Sequence, residues 1–238
     1  MFNYYLPPAP SATPWWPSWS SDGKSIAVAM YGSIWKVDPR AGAAEELTSG
    51  KKYHSSPDWS PDGKWIVYTA DDEGYTIQLE IVNVETGKSH TLTNDKHIYT
   101  DPVFSPDGAR IAYVSTKPNG YYNIHVRPIR NGQWAGEEIA LTQDHSYGKS
   151  RPYFGEWDMH TQPTWMPGGE EILLVSNRNV PLGSGHLWRV PVKADAMVDA
   201  LDILSEQTLY RTRPDVSPDG KRLIYSSTRG SADQYSHL

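Results

Sequence analysis

The residues best placed to do chemistry stand just ahead of five evenly dressed prolines. Three positions before Pro17, Pro57, Pro102, Pro163 and Pro214 come Pro14, His54, Tyr99, His160 and Arg211. One position before them come Trp16, Ser56, Asp101, Gln162 and Arg213. Imidazole, phenol, carboxylate, amide and guanidinium groups gathered at one place would make a polar small-molecule or peptide site. Arg211 and Arg213 could hold a carboxylate bidentately, and His54 and His160 are weak candidates for a Zn or Mn ligand set. The competing reading is that these side chains only satisfy backbone groups of their loops, and the residue types alone leave both open.

The usual marks of a self-contained catalyst are absent. Gly-x-Ser-x-Gly, Gly-x-x-x-x-Gly-Lys-Ser/Thr, Gly-x-Gly-x-x-Gly and His-Glu-x-x-His do not occur, and Gly183-Ser184-Gly185 has the wrong spacing for a nucleophile elbow. Asp71-Asp72-Glu73 before Gly74 reads as a solvated hairpin turn, since one short acidic turn lacks the six to eight oxygens of a calcium site. With no cysteine, disulfides and thiolate chemistry are excluded and the compartment stays open. No cofactor is expected.

The elements that position the set are repeats. The prolines open Pro17-Ser-Trp19-Ser-Ser-Asp-Gly23, Pro57-Asp-Trp59-Ser-Pro-Asp-Gly63, Pro102-Val-Phe104-Ser-Pro-Asp-Gly108, Pro163-Thr-Trp165-Met-Pro-Gly-Gly169 and Pro214-Asp-Val216-Ser-Pro-Asp-Gly220. In Ser-Pro-Asp-Gly, Pro presets φ, Asp suits the next corner and Gly takes the positive φ that closes a hairpin. A β-rich run follows each turn, then a third strand: Ser33–Val37, Gln78–Val84, Asn123–Arg127 and His186–Val190. Leu47-Thr48, Leu92-Thr93 and Leu141-Thr142 end the first three copies; the fourth has no such ending, and 193–204 reads as a helical or irregular excursion. Repeats of this size with four antiparallel strands are blades of a β-propeller. The fold class is therefore all-β, with four complete four-stranded blades and a partial fifth in a single domain over 1–238. Trp19, Trp59, Phe104 and Trp165 are expected to pack between blades.

These residues resemble the TolB-type propeller repeat, a relative of WD-repeat blades, over residues 17 to 238. Ser21 in place of Pro and Gly168 in place of Asp are the departures. The resemblance implies a protein or peptide partner, or a fused catalytic domain served as a gate or docking platform. It implies a periplasmic or secreted setting, although Met1 to Pro8 lacks the basic start and apolar run of a signal peptide. On this reading His54, Tyr99, Asp101, His160, Gln162, Arg211 and Arg213 sit at the channel mouth. The alternative is a channel-centred enzyme, a metal-dependent lyase or hydrolase acting on a small carboxylated or sugar substrate.

The connection between the third and fourth copies is long and aromatic. His145, Tyr147, Arg151, Tyr153 and Trp157 lie in it, and such loops in compact domains commonly serve as lids. The fifth copy is short of strands, so either Phe2–Leu6 completes it or the natural chain runs past Leu238; the second is the expectation. A net charge of -6, from 22 basic and 28 acidic residues without long runs, argues against nucleic acid as partner. No apolar stretch approaches the length of a membrane span.

Overall fold

The computed structural model describes residues 12–143, 145–149, 155–179, 185–204 and 210–228. The chain divides into two compact units, Met1–Phe104 with Ile129–Ala135 and Ser105–Pro128 with Gly136–Leu238, so the division runs through the third repeat.

In the first unit, the first repeat folds as β1 (Trp15–Trp19), β2 (Ile26–Met30), β3 (Ser33–Asp38) and β4 (Ala43–Glu46), hydrogen-bonded in that order. The second repeats the pattern with β5 (Tyr53–Trp59), β6 (Trp65–Asp72), β7 (Thr76–Asn83) and β8 (Ser89–Thr91). All pairings in these two sheets are antiparallel. The unit also carries β9 (Tyr99–Phe104) and β12 (Gln133–Trp134) of the third repeat. In the second unit, β10 (Arg110–Ser115) pairs with β11 (Asn123–Arg130), which also pairs with β13 (Ile139–Ala140). The fourth repeat is β14 (His160–Trp165), β15 (Glu171–Ser176), β16 (His186–Pro191) and β17 (Leu201–Asp202), again in sequence order. The fifth supplies β18 (Tyr210–Val216) and β19 (Leu223–Thr228). Phe2–Leu6 and the segment after Thr228 lie outside the described residues.

The 193–204 segment holds the expected helical excursion, a 3-10 turn at Ala196–Asp199, which then leads into β17, so the fourth repeat also has its fourth strand without a Leu-Thr ending.

Each Ser-Pro-Asp-Gly turn is tied by its own side chains. Ser60 Oγ donates to Asp62 Oδ1 at 2.7 Å and accepts from the Trp65 amide at 2.9 Å, while Asp62 Oδ1 accepts from the Lys64 amide. Gly63 takes φ +74° and donates to the Ser60 carbonyl. The same net recurs at Ser105/Asp107 and Ser217/Asp219. Met166 and Gly168 remove the side-chain ties in the fourth repeat, yet the backbone bonds Met166 N to Glu171 O and Gly169 N to Met166 O persist.

The Leu-Thr endings act as latches. Leu47 and Thr48 both donate backbone N–H to Ile34 O, and the Thr48 hydroxyl accepts the buried Ile34 N–H at 2.8 Å. Thr93 does this for Leu79 and Thr142 for Ile124. A backbone amide of the third strand is thereby satisfied by a side chain, which a buried donor requires.

The core of the first unit lies between successive sheets. Ala27, Ala29, Ile34 and Leu47 of the first repeat pack against Trp59, Ile66, Tyr68, Ala70 and Val82. Trp59, Phe104 and Trp165 are buried as expected, but Trp19 is 57% exposed. The aromatic at this position packs on the repeat before it, and the first repeat has none before it among the described residues.

Candidate functional site

The residue before each repeat's proline is where the backbone departs from a regular strand. Trp16, Ser56, Asp101, Gln162 and Arg213 take φ of 50°, 48°, 49°, 54° and 53°. Pairing slips at the same place in β1, β5, β14 and β18, between Trp15/Ser18, Ser55/Asp58, Thr161/Thr164 and Thr212/Asp215. A left-handed residue with a side chain costs about 1–2 kcal/mol, and a following proline further restricts it. A bulge of this kind re-aims one side chain out of the pleat. The left-handed residue recurs in all five repeats and the slipped pairing in four of them.

Neighbouring members of the set touch within each unit. In the first, Ser56 Oγ donates to Asp101 Oδ1 at 3.3 Å. In the second, the Arg213 amide donates to Gln162 Oε1 at 2.7 Å. Ser56, Asp101 and Gln162 are half-buried and Arg213 is exposed.

The residues three before the proline point the other way. His54, Tyr99, His160 and Arg211 are all buried. His54 Nδ1 lies 2.7 Å from the Thr48 hydroxyl of the preceding latch, its ring 4.9 Å from that of Tyr68, and burial pushes its pKa down. Tyr99 donates to Asp95 Oδ2 at 2.7 Å, and the Arg211 guanidinium donates to Leu204 O at 2.6 Å. Complete burial, with the charges of His145 and Arg178 nearby, drives the His160 pKa down to about 3 and keeps it neutral. The backbone amides of His54 and His160 donate to Gly32 O and Tyr122 O, the residues that precede the third strands of their neighbours. These positions thus support the seams between repeats, while the one-before-proline set is half-buried at Trp16, Ser56, Asp101 and Gln162 and exposed at Arg213. Among the described residues no three His, Cys, Asp or Glu side chains stand together as a metal set.

The described part of the long connection is a short hairpin stem. Tyr147 N donates to Glu156 O, Asp158 N to His145 O, and Ser146 bridges Trp157. The Trp157 ring rests 5.0 Å from Tyr121, and His145 Nε2 is 3.5 Å from Asp195 Oδ1. Arg151 and Tyr153 lie outside the described residues.

Two acid clusters, one around buried Glu80 and one around half-buried Glu138, escape a reading of the sequence. Tyr68 OH donates to Glu80 Oε2 at 3.0 Å while Lys52 Nζ pairs with Glu80 Oε1 at 2.6 Å. In the third repeat Tyr113 donates to Glu138, which also faces His125 Nδ1 at 3.1 Å and Lys117 Nζ at 3.7 Å. The two tyrosines share a motif position, two residues after Ile66 and Ile111, but the acids do not: Glu80 stands opposite Tyr68 on β7, whereas Glu138 comes from the segment before β13. Only the fold aligns them.

Burial raises the Glu138 pKa, but hydrogen bonds from His125 and Tyr113 and the charges of His125 and Lys117 outweigh it and hold it at about 2. The folded pKa lies below the unfolded value of 4.5, so this stabilisation is complete above pH 4.5 and is lost as pH falls towards 2. It amounts to about 2–3 kcal/mol. Urea midpoints of the wild type are therefore expected to drop steeply between pH 5 and pH 2.5, and Glu138→Gln is expected to flatten that drop. Equal slopes for the two proteins would refute the assignment.

A family model described as the TolB β-propeller domain, PD40, matches residues 12–146. The Bacillus subtilis (strain 168) protein named "Uncharacterized peptidase YuxL" is 41% identical over 54 residues, 23% of this chain and 8% of that one. The Tol-Pal system protein TolB of Francisella tularensis subsp. mediasiatica (strain FSC147) is 36% identical over 76 residues, 29% of this chain and 17% of the relative. The crystal structure of TolB from Acinetobacter baumannii superposes with a TM-score of 0.70 at 23% identity, over 92% of this chain and 50% of that one. The chain spans half or less of the length of each of these relatives. At that identity the superposition shows the fold alone, and the sheets described above are blades of that propeller type. With more than half its length matched by the family model, the chain belongs to the TolB β-propeller domain family.

Proposed function

We propose that the chain is a recognition module that holds a protein or peptide partner and performs no chemistry of its own. The observation that carries this reading is the left-handed residue before each repeat's proline, which sets Trp16, Ser56, Asp101, Gln162 and Arg213 off the regular strand at a repeated energetic cost. Strain of this kind is retained where a presented side chain has work to do. The mixed charge of Asp101 and Arg213 suits the alternating carbonyl and amide groups and the termini of a peptide. Similarity to Tol-Pal system proteins supports a periplasmic or secreted setting. The match to a protein named as a peptidase supports a related role, in which the module docks or gates substrate for a catalytic domain.

The test separates binding from stability. Peptides are selected on the wild-type chain from a random displayed library and titrated by calorimetry against Asp101→Gly and Arg213→Gly. Glycine accepts the left-handed conformation without strain, so both variants are expected to stay within about 1 kcal/mol of wild-type stability. Binding is expected to weaken at least tenfold. Failure to select any peptide, or equal affinity for both variants, would overturn the proposal.

A further inference from the structure

We propose that Ile129–Ala135, the hairpin of β11 and β12, is a strap that closes over Trp65 of the second repeat and opens as a unit while the sheets stay folded.

The hairpin receives little support from its own sheet. β11 pairs with β10 from Asn123 to Pro128, and with β13 at His125 and Val126. Ile129 and Arg130 lie past that ladder and pair with Trp134 and Gln133. The turn between them is Asn131-Gly132, whose φ of 50° and 73° suit a two-residue hairpin. Its root is a break point. Pro128 has no N–H to give to a ladder, and Gly136 packs so close that a Cβ there would come within 3.1 Å of the proline ring. A two-stranded ribbon alone is at best marginally stable in water, so this one depends on what it rests upon.

The second repeat supplies the seat. Gly132 abuts the Trp65 ring, and a Cβ there would meet three ring atoms at 2.7, 2.8 and 2.9 Å. His90 Nε2 lies 2.8 Å from Gly132 O; a carbonyl only accepts, so Nε2 carries the proton. The same imidazole stands T-shaped to Trp65 with ring centroids 6.3 Å apart. Trp134 Nε1 donates to Leu92 O at 2.7 Å. Trp65 directly precedes Ile66, and the residues at its position in the other repeats are Ser25, Arg110, Glu171 and Arg222. The second repeat, which carries the seat, is thus the one with an aromatic there.

A glycine against a ring and two hydrogen bonds hold the strap, whereas β6 and β7 are joined by a ladder that runs from Trp65 to Asp72. Segments with few buried apolar contacts open at lower free energy than core strands. Opening uncovers the Trp65 ring and releases the His90 Nε2 and Leu92 O partners, so the strap decides whether this part of the second repeat is available.

Hydrogen exchange of the whole chain, followed segment by segment, tests this. In the wild type, amides of 129–135 are expected to exchange roughly tenfold or more faster than those of β6 and β7. Gly132→Ala drives a Cβ into the Trp65 ring and is expected to speed exchange of 129–135 by roughly a further tenfold, with β6 and β7 still protected and the melting temperature near that of the wild type. Gly87→Ala adds a side chain at a similar φ of 67° with nothing within 4 Å, and is expected to leave 129–135 unchanged. Trp134→Phe keeps a ring but removes the donor to Leu92 O, and is expected to act in the same direction as Gly132→Ala. Wild-type strap amides as slow as those of β6 and β7 overturn the proposal. It is also overturned if Gly132→Ala and Trp134→Phe leave 129–135 unchanged, if they loosen β6 and β7 equally, or if Gly87→Ala matches their effect.

Discussion

Trp59→Ala is expected to lower the stability of this protein by about 3–5 kcal/mol, the range for deleting a buried large aromatic. Trp59 is 7% exposed, its indole donates Nε1–H to Gly63 O at 3.1 Å, and it belongs to the core cluster with Ala27, Ala29, Ile34, Leu47, Ile66 and Tyr68. Removing it opens a cavity that two β-sheets, pinned by their ladders, cannot collapse to fill. Trp19→Ala at the equivalent motif position is expected to cost less than about 1 kcal/mol, because that ring is mostly in water already. Urea titrations of the two variants measure the contrast. Equal losses would mean that the first repeat's outer face is covered in solution and that the seam assignment is wrong.

The contrast also shows how far the sequence could be read. Position in the motif told which way the aromatic points, because Pro-x-aromatic and the tight turn after it recur in register. It could not tell whether a neighbour stands there, which depends on a residue's place in the series of repeats and not on the repeat itself. The same limit applies to the polar set. His54 and Asp101 occupy comparable positions around their prolines, and residue type gives no way to separate them. The backbone separates them: Asp101 takes a left-handed φ of 49° and meets Ser56, while His54 lies in the seam against Thr48 and Tyr68. A register slip in a strand has no simple sequence signature, although five polar or aromatic residues directly before proline are its trace. The Leu-Thr endings are visible in the sequence as a pattern, but that each hydroxyl accepts the N–H of Ile34, Leu79 or Ile124 follows only from the fold.

Gly185→Ala is the second change with a large expected effect. Gly185 precedes β16 with φ +108°, and a Cβ there would lie 1.8 Å from the Ser176 carbonyl oxygen at the end of β15. That oxygen belongs to the backbone of the paired strand, where Ser176 stands opposite His186, so no side chain can move aside. The substitution must displace the end of the β15–β16 hairpin, at a cost of about 3 kcal/mol or more. Gly148 provides the control. It also has positive φ, at 70°, but a Cβ would meet nothing within 4 Å, so Gly148→Ala carries only the strain of a left-handed side chain, about 1 kcal/mol. Thermal unfolding of both variants is the check. A Gly185→Ala protein no less stable than Gly148→Ala would contradict the close approach. In the sequence Gly183-Ser184-Gly185 has the wrong spacing for a nucleophile elbow; the structure gives Gly185 a packing role.

On the proposed function, the left-handed residues before the prolines present side chains to a partner. The most direct measurement is the affinity of a selected peptide for the wild type and for Asp101→Gly and Arg213→Gly, taken with their melting temperatures. The account predicts melting temperatures close to that of the wild type, with affinity reduced at least tenfold in both variants. Unchanged affinity in variants that fold normally would contradict it, and the bulges would then be features of blade geometry alone.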